Sequence, residues 1–192
     1  MIRLTETVKF IIFINVIVFL GLQVSQNMSF DLGPYFKLHT QDTGGFKPMQ
    51  LVTNMFTHIE FRHLLFNMLV FVFLGPMVEQ TLGGKRFLII VLVAGIVGGV
   101  AQFFLSHNAV IYGASGAAMG ITLAFAGMFP NLKLMLLFPP IPIKAKYMAI
   151  AIVGIDIYSQ FTGNTGIGHY AHLAGAAAGF ILVWYWGKLN LR

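Results

Sequence analysis

The sequence predicts an all-α polytopic membrane protein, a bundle of six transmembrane helices, and three observations predict it. Hydrophobic residues fill 57% of the 192 positions and charged residues only 9%, too little charge to cover a soluble domain of this size. Six apolar runs follow one another along the chain. The basic residues are also unevenly divided among the connections between those runs.

The first run, Val8–Val24, stands behind Arg3 and Lys9. No small-x-small cleavage site follows Val24, so an uncleaved signal anchor is expected. A long connection, Ser25–Thr57, is rich in Gly, Asp and Thr. The second run is His63–Val78 and the third Phe87–Leu105; the third matches the roughly 20 apolar residues of a spanning helix. Ser115–Phe129 is the fourth. The connection Pro130–Lys146 contains FPPIPIK, whose paired prolines prevent a continuous helix. Tyr147–Phe161 and Ala171–Trp186 complete the set, and Trp184, Tyr185 and Trp186 close the last helix as an interfacial aromatic belt would. No repeat or low-complexity segment interrupts residues 1–192, which read as one domain. With no cysteine, the chain offers no disulfide or thiolate site.

A cytoplasmic N-terminus puts Arg3, Lys9, Lys85, Arg86, Lys133, Lys144, Lys146, Lys188 and Arg192 inside, leaving Lys37, Lys47 and Arg62 outside. That asymmetry is the positive-inside bias. It predicts a multi-pass protein of the cell (inner) membrane with both termini cytoplasmic. It also accounts for the net charge of +6, so the partner is the lipid bilayer and no nucleic acid is invoked.

Polar groups inside membrane segments are costly and functional by default. On this topology His58, His63, Asn67, Ser115, His169 and His172 fall near the outer ends of the second, fourth and sixth helices. His63 and Asn67, four apart, share a helix face; interhelical hydrogen bonding is the plain alternative for them. Ser115 lies in YGASGAAMG, framed by Gly113 and Gly116. Gly116, Gly120 and Ala124 form a small-residue ridge, and Ala171, Gly175 and Gly179 form another. If the ridges meet, His172 and Ser115 become neighbours; otherwise His172 is an ordinary interfacial histidine. A serine hydroxyl needs an adjacent base to become a nucleophile, and neutral imidazole serves near physiological pH. The Ser115 amide and the side chains of His63 and Asn67 are candidate donors to an oxyanion. Fifteen residues from Ser115 to Phe129 span about 22 Å against a hydrocarbon core of about 30 Å. Ser115 would therefore sit several ångströms below the outer surface, in a water-filled cavity open to that side.

Other chemistries fit less well. No HExxH occurs, and His58, Glu60, His63, His169 and His172 do not make an established zinc spacing, so no metal or cofactor is expected. An aspartyl mechanism needs two facing carboxylates, and only Asp156 lies well inside a helical run. The hydrolase elbow G-x-S-x-G fails because residue 117 is alanine. A transporter or channel would show repeats or midplane polar residues; it stays as the non-enzymatic alternative, beside a weakly active binding protein. Asp156 reads as facing the water-filled side of helix five, with no assigned role.

HLLFN in the second helix, GASG opening the fourth and AHLAG…G in the sixth together resemble the rhomboid intramembrane serine proteases. GPMVEQTLG, with Gly75, Glu79 and Gly83, is similar to the family's G-x-x-x-E-x-x-x-G. The resemblance covers essentially the whole chain, as a minimal six-helix bacterial-type member. It implies a Ser115–His172 dyad with no carboxylate, an oxyanion site of His63, Asn67 and the Ser115 amide, and supporting positions at Gly113, Gly116, Met119, Gly175, Gly179 and Glu79. It implies cleavage of single-pass transmembrane proteins near the extracytoplasmic end of their helix. On a dyad, Asp156→Asn is expected to keep activity within roughly tenfold. Three positions differ from the family pattern. Met49 and Gln50 stand where many members carry Trp-Arg, leaving the first loop's anchoring open. Thr81 stands where many carry Arg. Met119 replaces an aromatic residue that packs on the histidine in several members, and a flexible thioether holds a ring less rigidly.

Overall fold

The structure is a computed structural model and describes residues 3–25, 28, 30–135, 140–162 and 168–190. Arg192 and Pro139 lie outside the described residues. The helices are α1 (Glu6–Ser25), α2 (Gly33–Phe36), α3 (Gln50–Thr53), α4 (Phe61–Phe73), α5 (Gly75–Leu82), α6 (Gly84–Leu105), α7 (Ser115–Met128), α8 (Ala145–Thr162) and α9 (His169–Tyr185). Each predicted run coincides with helix: the first with α1, the second with α4 and α5, the others with α6, α7, α8 and α9. Among the described residues, α1 and α6 are each long and apolar enough to cross a membrane alone, while Gln50–Phe56 and Phe61–Phe73 form an apolar pair bent by 91°. The second run is divided because Pro76, in the first turn of α5, cannot donate into the α4 ladder.

Two small antiparallel ribbons depart from the purely helical expectation. β1 (Leu38–His39) pairs with β2 (Val110–Ile111), tying the long loop after α1 to the segment before α7. β3 (Lys133–Met135) pairs with β4 (Pro142–Lys144) across the proline-bearing connection.

α7 is the central post, packed mainly against α6 and α9. Ala117, Ile121, Ala124 and Phe125 on it are fully buried. The outward faces of α1 and α8 carry exposed Phe13, Ile17, Ile150, Ile155 and Phe161; an apolar exterior of this extent suits lipid contact.

The Gly75–Glu79–Gly83 motif fastens α1. Glu79 is buried and accepts from the Thr5 hydroxyl at 2.5 Å, the Thr7 amide at 3.1 Å and the Val8 amide at 3.0 Å. These include amides of the first turn of α1, which no intrahelical carbonyl can satisfy. A side chain at Gly75 would strike Val8 Cγ2 at 2.8 Å.

The same long loop after α1 is anchored through Gln50, one of the positions that differ from the family pattern. Its side chain is fully buried; Oε1 accepts from the His39 and Lys47 amides, and Nε2 donates to the Pro34 and Gly45 carbonyls. The amide exhausts its own valences in closing the loop on itself. Met49 beside it is exposed, and the Thr81 hydroxyl donates back to the Met77 carbonyl.

Candidate active site

The two glycine ridges meet. A side chain at Gly175 would overlap the Gly116 carbonyl, and one at Gly179 the Gly120 carbonyl. On the third helix, a side chain at Gly98 would reach the Ala171 carbonyl at 2.6 Å. α6, α7 and α9 thus approach at backbone distance, as small residues permit. Ser115 at the first position of α7 and His172 in the first turn of α9 consequently line one cavity of about 940 Å³, with His63, Asn67, Met119 and His169.

The turn before Ser115 rests on histidines. Gly113 has φ +122°, a conformation reserved for glycine, and an added Cβ would lie 2.6 Å from the His63 ring. The Gly113 amide donates to the Asn54 carbonyl at 2.9 Å, and the Ala114 amide to His58 Nε2 at 3.3 Å. His58, in the loop before α4, is fully buried. Burial, followed by the neighbouring His63, lowers its pKa to about 3, so the ring is neutral and Nε2 can accept. The His58 and His63 rings meet edge to face at 5.0 Å.

Asn67 is buried, and Nδ2 donates to the His63 carbonyl at 2.9 Å. An amide nitrogen carries two hydrogens, so one remains for the cavity. The Ser115 amide, at the start of α7, is one of the N–H groups a helix leaves unpaired within itself.

The other side of the site holds a carboxylate. Asp156 is buried against α9, where the expectation had it facing water on its own helix. His172 Nδ1 lies 3.0 Å from Oδ2 and 3.2 Å from Oδ1, and His169 Nδ1 lies 2.7 Å from Oδ1. His169 and His172, three apart, present the same face of α9 to α8. The three side chains bring possible metal-ligand atoms within 4.8 Å of one another. Hydrogen bonds of ordinary length already satisfy the carboxylate there.

A family model for the rhomboid domain matches residues 46–189. This chain belongs to the rhomboid family. It is similar to RHOMBOID-like protein 12, mitochondrial, of Arabidopsis thaliana (32% identical over 73% of this chain and 46% of the relative). It is similar also to Rhomboid-like protease 3 of Toxoplasma gondii (30% over 74% and 53%) and to Rhomboid protein 1, mitochondrial, of Saccharomyces cerevisiae (28% over 73% and 42%). The rhomboid described here therefore spans about half the length of these relatives. With its apolar helices, it is a membrane protein.

In this rhomboid Ser115, His172, His63, Asn67 and Met119 share the cavity. Gly113, Gly116, Gly175 and Gly179 are the close approaches that create it, whereas Glu79 supports α1 at a distance. Among the described residues no hydrogen bond joins Ser115 to His172 at rest; such contacts commonly tighten only in the reacting complex. Sequence reasoning missed Gln102 of α6, whose Oε1 accepts from the Ala171 amide at 3.0 Å and so caps the first turn of α9. The signal was available: it is a glutamine inside an apolar run, where a polar group is costly without a partner.

Proposed function

We propose that this rhomboid is an intramembrane serine endopeptidase cleaving single-pass transmembrane proteins, with Ser115 as nucleophile and His172 as general base. The observation that carries this reading is the backbone-distance packing of α7 on α9, which delivers a serine and a histidine to one cavity lined by further donors. His172 takes the Ser115 proton as Oγ attacks the scissile carbonyl carbon. The resulting oxyanion is received by the Ser115 amide, the second Asn67 amide hydrogen and His63. Collapse of the tetrahedral intermediate breaks the C–N bond, and His172 returns the proton to the leaving amine. Water, activated by the same imidazole, then releases the acyl group. The cavity can supply this water at membrane depth.

The positive-inside bias supports an extracytoplasmic opening with both termini cytoplasmic, in the cell (inner) membrane. Substrates would be cut near that face, at a helix end weak enough to unwind into the cavity. The test is cleavage of a model transmembrane substrate by the purified protein in liposomes. Wild type should cleave, while Ser115→Ala and His172→Ala, folded to the same extent, should give none. Cleavage surviving Ser115→Ala would reject the assignment.

A further inference from the structure

We propose that Asp156 is a positioning residue for His172: its carboxylate fixes the ring's tautomer and orientation, and His169 holds the carboxylate in place. This rests on the reading of Ser115 and His172 just given. It reverses the expectation that Asp156→Asn keeps activity within roughly tenfold.

The argument begins with what a carboxylate can do. An ionised carboxylate only accepts hydrogen bonds. With both oxygens of Asp156 within 3.2 Å of His172 Nδ1, an ionised Asp156 requires that nitrogen to carry the hydrogen. Nε2, on the other side of the ring, is then left with a lone pair. A base that is to take the Ser115 proton needs that tautomer, and a carboxylate partner maintains it.

The division of labour between the two histidines follows from their placement. His169 is the more buried and makes the shorter bond, 2.7 Å to Oδ1. His172 is the less buried. Both line the cavity, and Asp156 lies behind them. The carboxylate therefore faces one fixed ring and one ring that reaches the chemistry. A tether serving only to join α8 to α9 would need the His169 contact alone. The His172 contact falls on the ring atom that governs the base.

Met119 gives a second reason. It sits one turn after Ser115 and lines the same cavity, but an unbranched thioether adapts to its neighbours and does not orient them. The directional constraint on His172 comes from hydrogen bonds on Nδ1, supplied by α8. Among the described α8 residues only Ala145, Ala149 and Asp156 are buried, so Asp156 is the one ionisable group this helix commits to the interior.

Two measurements test the proposal. In liposomes, Asp156→Asn should lower kcat by at least about 10²-fold, towards the roughly 10⁴ that losing a carboxylate orienting a histidine base can cost, with KM within about threefold. A contact that leaves substrate binding untouched and strengthens as His172 gains its proton has that signature. His169→Asn, whose amide nitrogen can still donate to the Asp156 carboxylate, should cost no more than about tenfold, or one power of ten in rate. A kcat for folded Asp156→Asn within threefold of wild type would overturn the proposal, as would a loss confined to KM. The second measurement needs no variant at Asp156 and no activity. Ring ¹⁵N shifts of wild-type His172, assigned by difference from His172→Ala at about pH 8, above the ordinary histidine range, should show protonated Nδ1 and bare Nε2. The opposite tautomer would overturn the positioning role. Failure of wild type to cleave would reject the protease reading, while the tautomer would still decide whether Asp156 sets the ring.

Discussion

Ser115 and His172 meet in one cavity, but they are held there by different means. On the α7 side the backbone does the holding: Gly116 and Gly120 lie against Gly175 and Gly179, and the turn at Gly113 rests on two histidine rings. On the α9 side the first turn is held by side chains from other helices, Asp156 from α8 and Gln102 from α6. A backbone contact has no room for an added atom, whereas a side-chain contact can be removed while the helix stays in place. Stability and turnover should therefore fall together when the support of Ser115 is changed. They should separate when the support of His172 is changed.

The sharpest way to break this contrast is Gly175→Val. Its side chain would have to displace the Gly116 backbone, and overpacking costs about 1–3 kcal/mol and occasionally more. Cleavage should vanish and the thermal unfolding midpoint in detergent should fall; full activity at an unchanged midpoint would disprove backbone-distance packing. Asn67→Ala comes next, with turnover expected to drop about 10²–10³ while KM changes little. A change in KM alone would make Asn67 a substrate or packing contact.

Away from the cavity, Glu79→Ala removes the acceptor for the start of α1 and should cost about 0.5–2 kcal/mol, the range for losing a helix cap. Activity per folded molecule should stay within threefold. A larger loss of turnover than of stability would tie α1 to the chemistry. Gly154→Ala on α8 sets the baseline, since an added Cβ there meets nothing within 4 Å. Its effect should stay within about 1 kcal/mol, and a larger one would mean that α8 packs more closely than described.

The same contrast explains what could be read from the sequence. The glycine ridges and the Ser115 turn are written in consecutive residues at helical spacing, so their periodicity survives without coordinates. Asp156 is different. α8 buries so few residues that no apolar stripe sets its rotation, and the direction of one carboxylate on it was undetermined. Gln50 differs in another way: as a departure from a family pattern it leaves the loop's anchoring open, and its amide meets four backbone groups. Hydrogen-bonding capacity, and not residue identity, was the quantity to compare.

The clasp between Glu79 and the start of α1 has a consequence for how the protein is made. The residues it joins are 71 to 74 positions apart, and a ribosome adds about 5–20 residues each second. For several seconds after α1 is synthesised, the amides of Thr7 and Val8 have no carboxylate to meet and must rely on water at the membrane face. The first helix reaches its final seat only when the second has been threaded and its α5 portion laid alongside. Biogenesis is thus a waiting step followed by a latch, and the latch is a single acidic residue.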